Sequence, residues 1–164
     1  LNTVFNRHPI TLIHMENGTT AMTGHQEHAA VGENFNGPTD KVPVRQALEG
    51  LGEKHIYELD TYQQSRLTEL VETAVNYSEF SVVIARHPCM LKFTRIARRK
   101  PGYQAKQVHI DQKSCNQTHA CVASFGCPTF TRHTDGKVTV NPDLCIGDGS
   151  CLQTCPTRAI EKPR

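Results

Sequence analysis

The feature that most limits what this chain can become is a pair of cysteine runs toward its C-terminal end. Of seven cysteines, six (Cys115, Cys121, Cys127, Cys145, Cys151 and Cys155) fall within one short stretch. The stretch is an internal repeat, HIDQKSCNQTHACVASFGCPTF followed by TVNPDLCIGDGSCLQTCPTRAI. Each copy has a β-prone lead, an Asp ahead of the first Cys, a second Cys six residues on and a Cys-Pro close. No secretory signal stands at the start of the sequence. Thiols gathered in this way therefore point to metal ligation rather than disulfides, and to a reducing compartment, read as the cytoplasm.

Two-cluster ferredoxins use C-x2-C-x2-C-x3-C-P twice, and the last Cys of each run ligates the other cluster. On that pattern each run here lacks its second Cys, with Thr118 in one place and Asp148 in the other. The crossed scheme gives Cys115, Cys121 and Cys155 to one cluster and Cys145, Cys151 and Cys127 to the second. Asp148 offers a carboxylate oxygen, a harder ligand than thiolate. The expectation is two clusters, 4Fe-4S or 3Fe-4S, with one iron weakly held. His119 offers an imidazole nitrogen beside Thr118, against a surface or core role for a lone histidine. The competing reading is zinc, which prefers C-x2-C pairs; none exists, and the two Cys-Pro closes favour iron and sulfide. Gly147-Asp148-Gly149 spells the start of a thiamine diphosphate motif, but inside a cysteine loop it reads as coincidence.

The first 96 residues alternate between strand and helix signals, which predicts a parallel sheet. Ile10 to Met15 and Phe80 to Ala85 read as buried strands, and His55 to Leu59 as another. Val44 to Leu51 reads as a short helix. Tyr62 to Tyr77 reads as the best helix, with Leu67, Leu70, Val71, Ala74 and Val75 on one face and Asp60 or Thr61 as cap. Lys92 to Lys106 is basic and contains Pro101 and Gly102; residues 97–106 are expected to be a linker, either solvated or docking an acidic partner. Cys89, in ARHPCM, reads as a buried packing cysteine without a partner. The fold expected is α/β followed by a small α+β two-cluster ferredoxin-like domain, with domains 1–96 and 107–164. A formal charge of +2 gives no case for nucleic acid, and no apolar run is long enough to span a bilayer.

After the first strand the chain enters a polar loop, Asn17 to Gln26. The C-terminal end of a parallel strand is where such folds bind ligands. The Asn17 amide oxygen and the Thr19 carbonyl are hard donors at close spacing and suit Mg²⁺ on a diphosphate. The alternative is a polar loop that caps the next element.

The loop MENGTTAMTGHQ, the strand end SVVIARHPC and the cysteine runs closing CPTRAI occur in that order. Together they resemble the C-terminal part of the large (alpha) subunit of indolepyruvate ferredoxin oxidoreductase, within the thiamine diphosphate-dependent 2-oxoacid:ferredoxin oxidoreductases. The resemblance implies that residues 1–96 are the C-terminal part of a thiamine diphosphate-binding domain. It implies Asn17 and Thr19 as Mg²⁺ ligands, and Thr20, Thr23, Gly24 and Gln26 as lining the cofactor. His25 is a candidate proton carrier, with a loop-structuring role as the alternative. The six cysteines become cluster ligands. The implied reaction converts aryl pyruvates and coenzyme A to aryl-acetyl-CoA and CO₂ and reduces ferredoxin or another acceptor. The implied partners are the remainder of the large subunit and a smaller (beta/gamma-type) subunit. The sequence starts at Leu1 and lacks the family's upstream Gly-Asp-Gly, so the expectation is a fragment, or a site completed by another chain. The rivals are a stand-alone ferredoxin-type carrier without catalytic activity, and a docking module whose cysteines bind nothing.

Overall fold

A computed structural model describes residues 1–163. The chain forms two compact units, Leu1–Lys92 and a second from Phe93 on.

The first unit opens with a helical turn, α1 (Asn2–Phe5), and the strand β1 (Thr11–Glu16). A long connection follows, holding a 3₁₀ turn (Ala21–Thr23) and the short antiparallel pair β2 (Glu33–Asn34) and β3 (Gly37–Pro38). Then come α2 (Val44–Gly50), β4 (Ile56–Asp60), α3 (Gln64–Val75) and β5 (Ser81–Arg86), after which α4 (Met90–Ala97) begins in this unit and ends in the second. β1, β5 and β4 make a three-stranded, wholly parallel sheet in that order, with Ile13 and Tyr57 both opposite Val83.

β5 is central because its sequence, SVVIA, is apolar at consecutive positions and can be covered on both faces. Val82, Val83 and Ile84 are fully buried. Ile84, Val82 and Ile56 form the core with Val44, Leu48 and Phe80. The end of α3 is tied to the sheet through one carbonyl: Ala74 O accepts Ser81 Oγ–H at 2.9 Å and Thr11 Oγ1–H at 3.1 Å.

Three expectations change here. β1 is an edge strand among the described residues, and Leu12, Ile13 and Met15 are exposed rather than buried, Met15 at 78%. An apolar run alone cannot distinguish an edge strand from a central one. Val75 lies at 61% exposure, off the packed stripe of α3. Neither Asp60 nor Thr61 caps α3. Its N-cap is Gln63, without a side-chain bond, while Asp60 Oδ1 accepts the Tyr62 N–H at 2.8 Å in a turn just ahead of it.

The second unit is built on the repeat. β6 (His109–Ile110) pairs antiparallel with β9 (Ile160–Glu161), and β7 (Phe130–Arg132) with β8 (Val138–Val140). Between them lie α5 (Ala120–Ala123) and a 3₁₀ turn (Ser150–Thr154). The core is small: Val108, Phe130, Val138, Ile160, Cys145 and Cys151, with Cys121, Cys127 and Cys155 packed against it. A unit this size whose core is partly thiol has little apolar area to spare. A bound metal centre is a standard way to make up the difference.

Candidate functional site

In the first unit the parallel strands end together at Glu16, Arg86 and Asp60. Arg86 ties the three ends, reaching Glu16 at 2.8 Å and Glu58 at 2.5 Å. Beyond Glu16 the polar loop closes on itself. Asn17 Oδ1 accepts the Thr19 N–H at 3.0 Å. Thr19 is buried and its hydroxyl donates to Gln26 O at 3.1 Å. Thr20 N–H donates to Gln26 O, and Thr23 Oγ1–H to Gln26 Oε1. Gly24 and His25 both take left-handed backbone, at φ 108° and 64°.

The structure thus brings Asn17, Thr19, Thr20, Thr23, Gly24, His25 and Gln26 into one ordered turn. The Asn17 bond is what a self-capping loop needs, yet an amide oxygen has a second lone pair. The Thr19 carbonyl takes no part in the loop's own bonds. Two oxygens fit part of a six-coordinate magnesium shell; the other four positions need donors from beyond this loop.

Cys89 is the clearest correction. It is half-buried, not buried, and has a partner: its Sγ lies 3.6 Å from His25 Nε2. Its N–H also donates to Asn17 O at 2.8 Å, so the loops after β1 and β5 meet at this residue. The pairing spans 64 residues, and nothing local in ARHPCM announces it.

A second constellation escaped the sequence reading. His87 Nδ1 lies 3.1 Å from Asp60 Oδ1, and the Tyr62 ring stacks on the His87 ring at 3.6 Å. The Tyr62 N–H holds the Asp60 carboxyl below its ordinary range against the opposing effect of burial, and His87 adds to the lowering. Asp60 and His87 border a cavity of about 330 Å³ at the strand ends. The available signal was the histidine directly following a buried strand.

In the second unit the repeats fold alike. Asp111 Oδ1 accepts the Lys113 N–H and Asn141 Oδ1 accepts the Asp143 N–H, so Asn141 rather than Asp143 is the counterpart of Asp111. Cys115 N–H donates to Asp111 O and Cys145 N–H to Asn141 O, both at 3.1 Å. Each cysteine loop then needs two left-handed residues, supplied by Gln117 and His119 in the first and Gly147 and Gly149 in the second. That requirement explains Gly147-Asp148-Gly149 without thiamine diphosphate. A Cβ on Gly147 would also sit 2.7 Å from Lys106 O, a backbone atom that cannot swing away. Gly147→Ala is therefore expected to destabilise the second unit by about 1–3 kcal/mol, read by thermal unfolding. An unchanged midpoint would contradict this account of the loop.

The six thiols of the runs are free and fall into two sets. Cys121 has Cys115 and Cys155 as neighbours; burial first, then these thiols, push it up, partly offset by backbone N–H groups. Cys151 is pushed up to about 11 by burial, then by Asp148, Cys127 and Cys145. Cys155 feels burial too, but hydrogen bonds from the Thr157 hydroxyl and from backbone N–H groups, Ala159 first, leave it below the ordinary thiol range. Asp148 is half-buried and its Oδ2 accepts the Ser150 N–H at 3.4 Å. Thr118 is exposed. The His119 ring is engaged elsewhere, with Nε2 2.8 Å from Gly136 O.

Among the described residues no three His, Cys, Asp or Glu side chains converge closely enough to hold one metal ion. The arrangement is not a preformed zinc site, whose sulfurs would all lie about 2.3 Å from one ion. Soft donors in two groups of three suit a polynuclear cluster of iron and sulfide. No helix among the described residues is long and apolar enough to cross a membrane.

Comparison with known proteins agrees with this division. Residues 138–161 match the 4Fe-4S binding domain family, covering the second repeat. Among curated relatives, the indolepyruvate oxidoreductase subunit IorA of Archaeoglobus fulgidus is 32% identical over 98% of this chain. The proteins of that name from Pyrococcus horikoshii and Methanothermobacter marburgensis are 30% and 29% identical over 99% and 98% of it. The chain spans about a quarter of the length of these relatives, 25% in each case. Residues 1–85 match the thiamine pyrophosphate enzyme family over its C-terminal TPP binding domain, and that family is the one to which the chain belongs.

Proposed function

We propose that this chain is the part of an indolepyruvate-type 2-oxoacid oxidoreductase that holds the cofactor's diphosphate end and carries electrons away through two iron–sulfur clusters. The reaction proposed is oxidative decarboxylation of an aryl pyruvate to aryl-acetyl-CoA and CO₂. The acceptor is ferredoxin or a similar carrier, and the compartment is the cytoplasm. The observation that supports it best is the grouping of thiols across the repeats: Cys155 as well as Cys115 neighbours Cys121, and Cys127 as well as Cys145 neighbours Cys151. The domain limits proposed are 1–96 and 107–164, joined by the basic segment 97–106.

Thiamine diphosphate, when bound, supplies the electron sink for loss of CO₂, and the clusters accept electrons one at a time. This chain's residues do the rest. Asn17 Oδ1 and the Thr19 carbonyl would hold Mg²⁺, while Thr20, Thr23, Gly24 and Gln26 shape the turn beside it. His25, whose Nε2 lies 3.6 Å from Cys89 Sγ, is the proton carrier of this reading. The six cysteines would hold the clusters, and Asp148 would supply an oxygen in the place of a missing thiolate. The remainder of the large subunit and a smaller beta/gamma-type subunit complete the catalytic site. The loop after β1 distinguishes this reading from a stand-alone carrier, which has no use for it.

The test is made on the complex of the subunit that carries this chain with its smaller partner subunit. Indolepyruvate, coenzyme A, thiamine diphosphate and Mg²⁺ together are expected to bleach the cluster absorbance, and omission of any one to prevent it. Bleaching without thiamine diphosphate would contradict the reading. Asn17→Ala is expected to weaken Mg²⁺-dependent thiamine diphosphate binding by about 10- to 100-fold, as loss of one charged-group contact does, measured by calorimetry. Unchanged affinity would remove Asn17 from the site. His25→Asn is expected to slow turnover with cofactor binding intact; unchanged turnover would leave His25 a loop residue only.

A further inference from the structure

The two thiol sets have the same count of sulfurs and different surroundings, and the differences all bear on how easily an electron is accepted. A reduced cluster carries one more negative charge than an oxidised one. Water and hydrogen-bond donors at the sulfurs favour the reduced form; burial and a nearby carboxylate disfavour it.

In the set of Cys145, Cys151 and Cys127, the first two are each only 5% exposed. Asp148 is the leading charged neighbour of Cys151. The equivalent place in the first repeat is Thr118, which is neutral and exposed. Cys127 receives one side-chain hydrogen bond, with Thr129 Oγ1 at 3.1 Å. In the set of Cys115, Cys121 and Cys155, all three thiols are half-buried. Cys155 Sγ is bonded twice, by the Ala159 N–H at 3.3 Å and by Thr157 Oγ1 at 3.5 Å. The two threonines are repeat equivalents, each two residues past its Cys-Pro, so the extra donor to Cys155 is the Ala159 amide. One group acts in the opposite sense. Lys162 Nζ donates to Asp148 O at 2.9 Å, but the lysine is exposed and its charge is screened by solvent.

Taking the cluster reading of the cysteines as its basis, we infer that the two centres are ordered. The Cys115–Cys121–Cys155 centre has the higher potential and is the exit for electrons. The Cys127–Cys145–Cys151 centre, beside Asp148, has the lower potential and feeds it. The step is a one-electron transfer: the Asp148-side centre is oxidised by one electron as the Cys155-side centre is reduced by one. The better-solvated centre is then the one from which an outside acceptor takes the electron. The replacement of a cysteine by aspartate is read here as the device that separates two otherwise equivalent repeats.

The experiment is a redox titration of the full chain, reconstituted anaerobically with iron and sulfide and followed by electron paramagnetic resonance. Two midpoints are expected. Asp148→Asn is expected to shift the reduction equilibrium of the lower one about tenfold toward the reduced form, about 59 mV for a one-electron couple, with the higher midpoint unmoved. Thr157→Val is expected to lower the higher midpoint and leave the lower one in place. A single shared midpoint, or Asp148→Asn moving the higher one, would overturn the ordering. So would Thr157→Val acting on the lower midpoint. Thr157→Val touches no cluster ligand, so it tests the ordering even if Asp148→Asn changes the iron content. If the unmodified chain takes up no iron and sulfide, the cluster reading fails and the ordering with it. Clusters present but unordered would refute this inference alone.

Discussion

Cys155→Ala is expected to remove the cluster that Cys115 and Cys121 help to hold and to leave the cluster of its own repeat intact. About half of the bound iron and sulfide should be lost, as the crossed ligation of two-cluster folds requires. The reasoning rests on which thiols feel each other. Cys155 closes the second cysteine run, yet its sulfur neighbours Cys121 in the first. Cys127 closes the first run and neighbours Cys151 in the second. Double variants make the expectation sharp, because ligands of one centre act as a unit and ligands of different centres act independently. Adding Cys115→Ala to Cys155→Ala should cost little further iron. Adding Cys151→Ala should abolish binding. The reverse result, with Cys155 grouped with Cys145 and Cys151, would mean that each repeat holds its own metal. Stability should follow the metal, since Cys121, Cys127 and Cys155 pack against a core that is already small.

The second large effect is expected in the first unit, at Ile84. Its side chain is wholly buried on the central strand, against Ile56 and Val82, with Val44, Leu48 and Phe80 around them. Ile84→Ala removes three carbons from this layer and leaves a cavity, at a cost of about 3–4 kcal/mol. For a unit of this size that corresponds to a midpoint lower by roughly 15–25 °C. Met15→Ala, on β1, is the contrast. Met15 is 78% exposed, and its truncation should change stability by no more than about 0.5 kcal/mol. Urea unfolding of the two variants beside the unmodified chain checks both. Equal costs would mean that β1 is buried after all.

The contrast between these strands also marks where sequence reasoning reached its limit. Ile10 to Met15 and Phe80 to Ala85 are both short apolar runs, and both form parallel strands. Which of them lies at the centre depends on the crossover order β1-β5-β4, and no local pattern carries that information. The helix over Gln64–Val75 was legible because Leu67, Leu70, Val71 and Ala74 repeat at helical spacing. Its start was not, because Asp60 is engaged by the Tyr62 N–H and by His87, a residue 27 positions away. Cys89 failed for the same reason: its partner His25 lies on another loop.

The expected cysteine sets follow from the two Cys-Pro closes, which have a known geometric consequence. The left-handed residues within the loops were half legible. Glycine advertises the conformation at positions 147 and 149, whereas Gln117 and His119 adopt it without any such sign. The side-chain bonds from Thr129 to Cys127 and from Thr157 to Cys155 follow from the shared Cys-Pro-Thr spelling, which the repeat displays plainly. The difference between the two sets depends on burial, and burial emerges only when the chain is folded.

The most direct measurement is the iron and acid-labile sulfide content of the chain purified without air. Two clusters of three or four irons correspond to roughly six to eight iron atoms per chain, with a similar number of sulfides. That is the result this account requires. Iron near zero, or zinc bound in its place without sulfide, would show that the six thiols serve some other purpose.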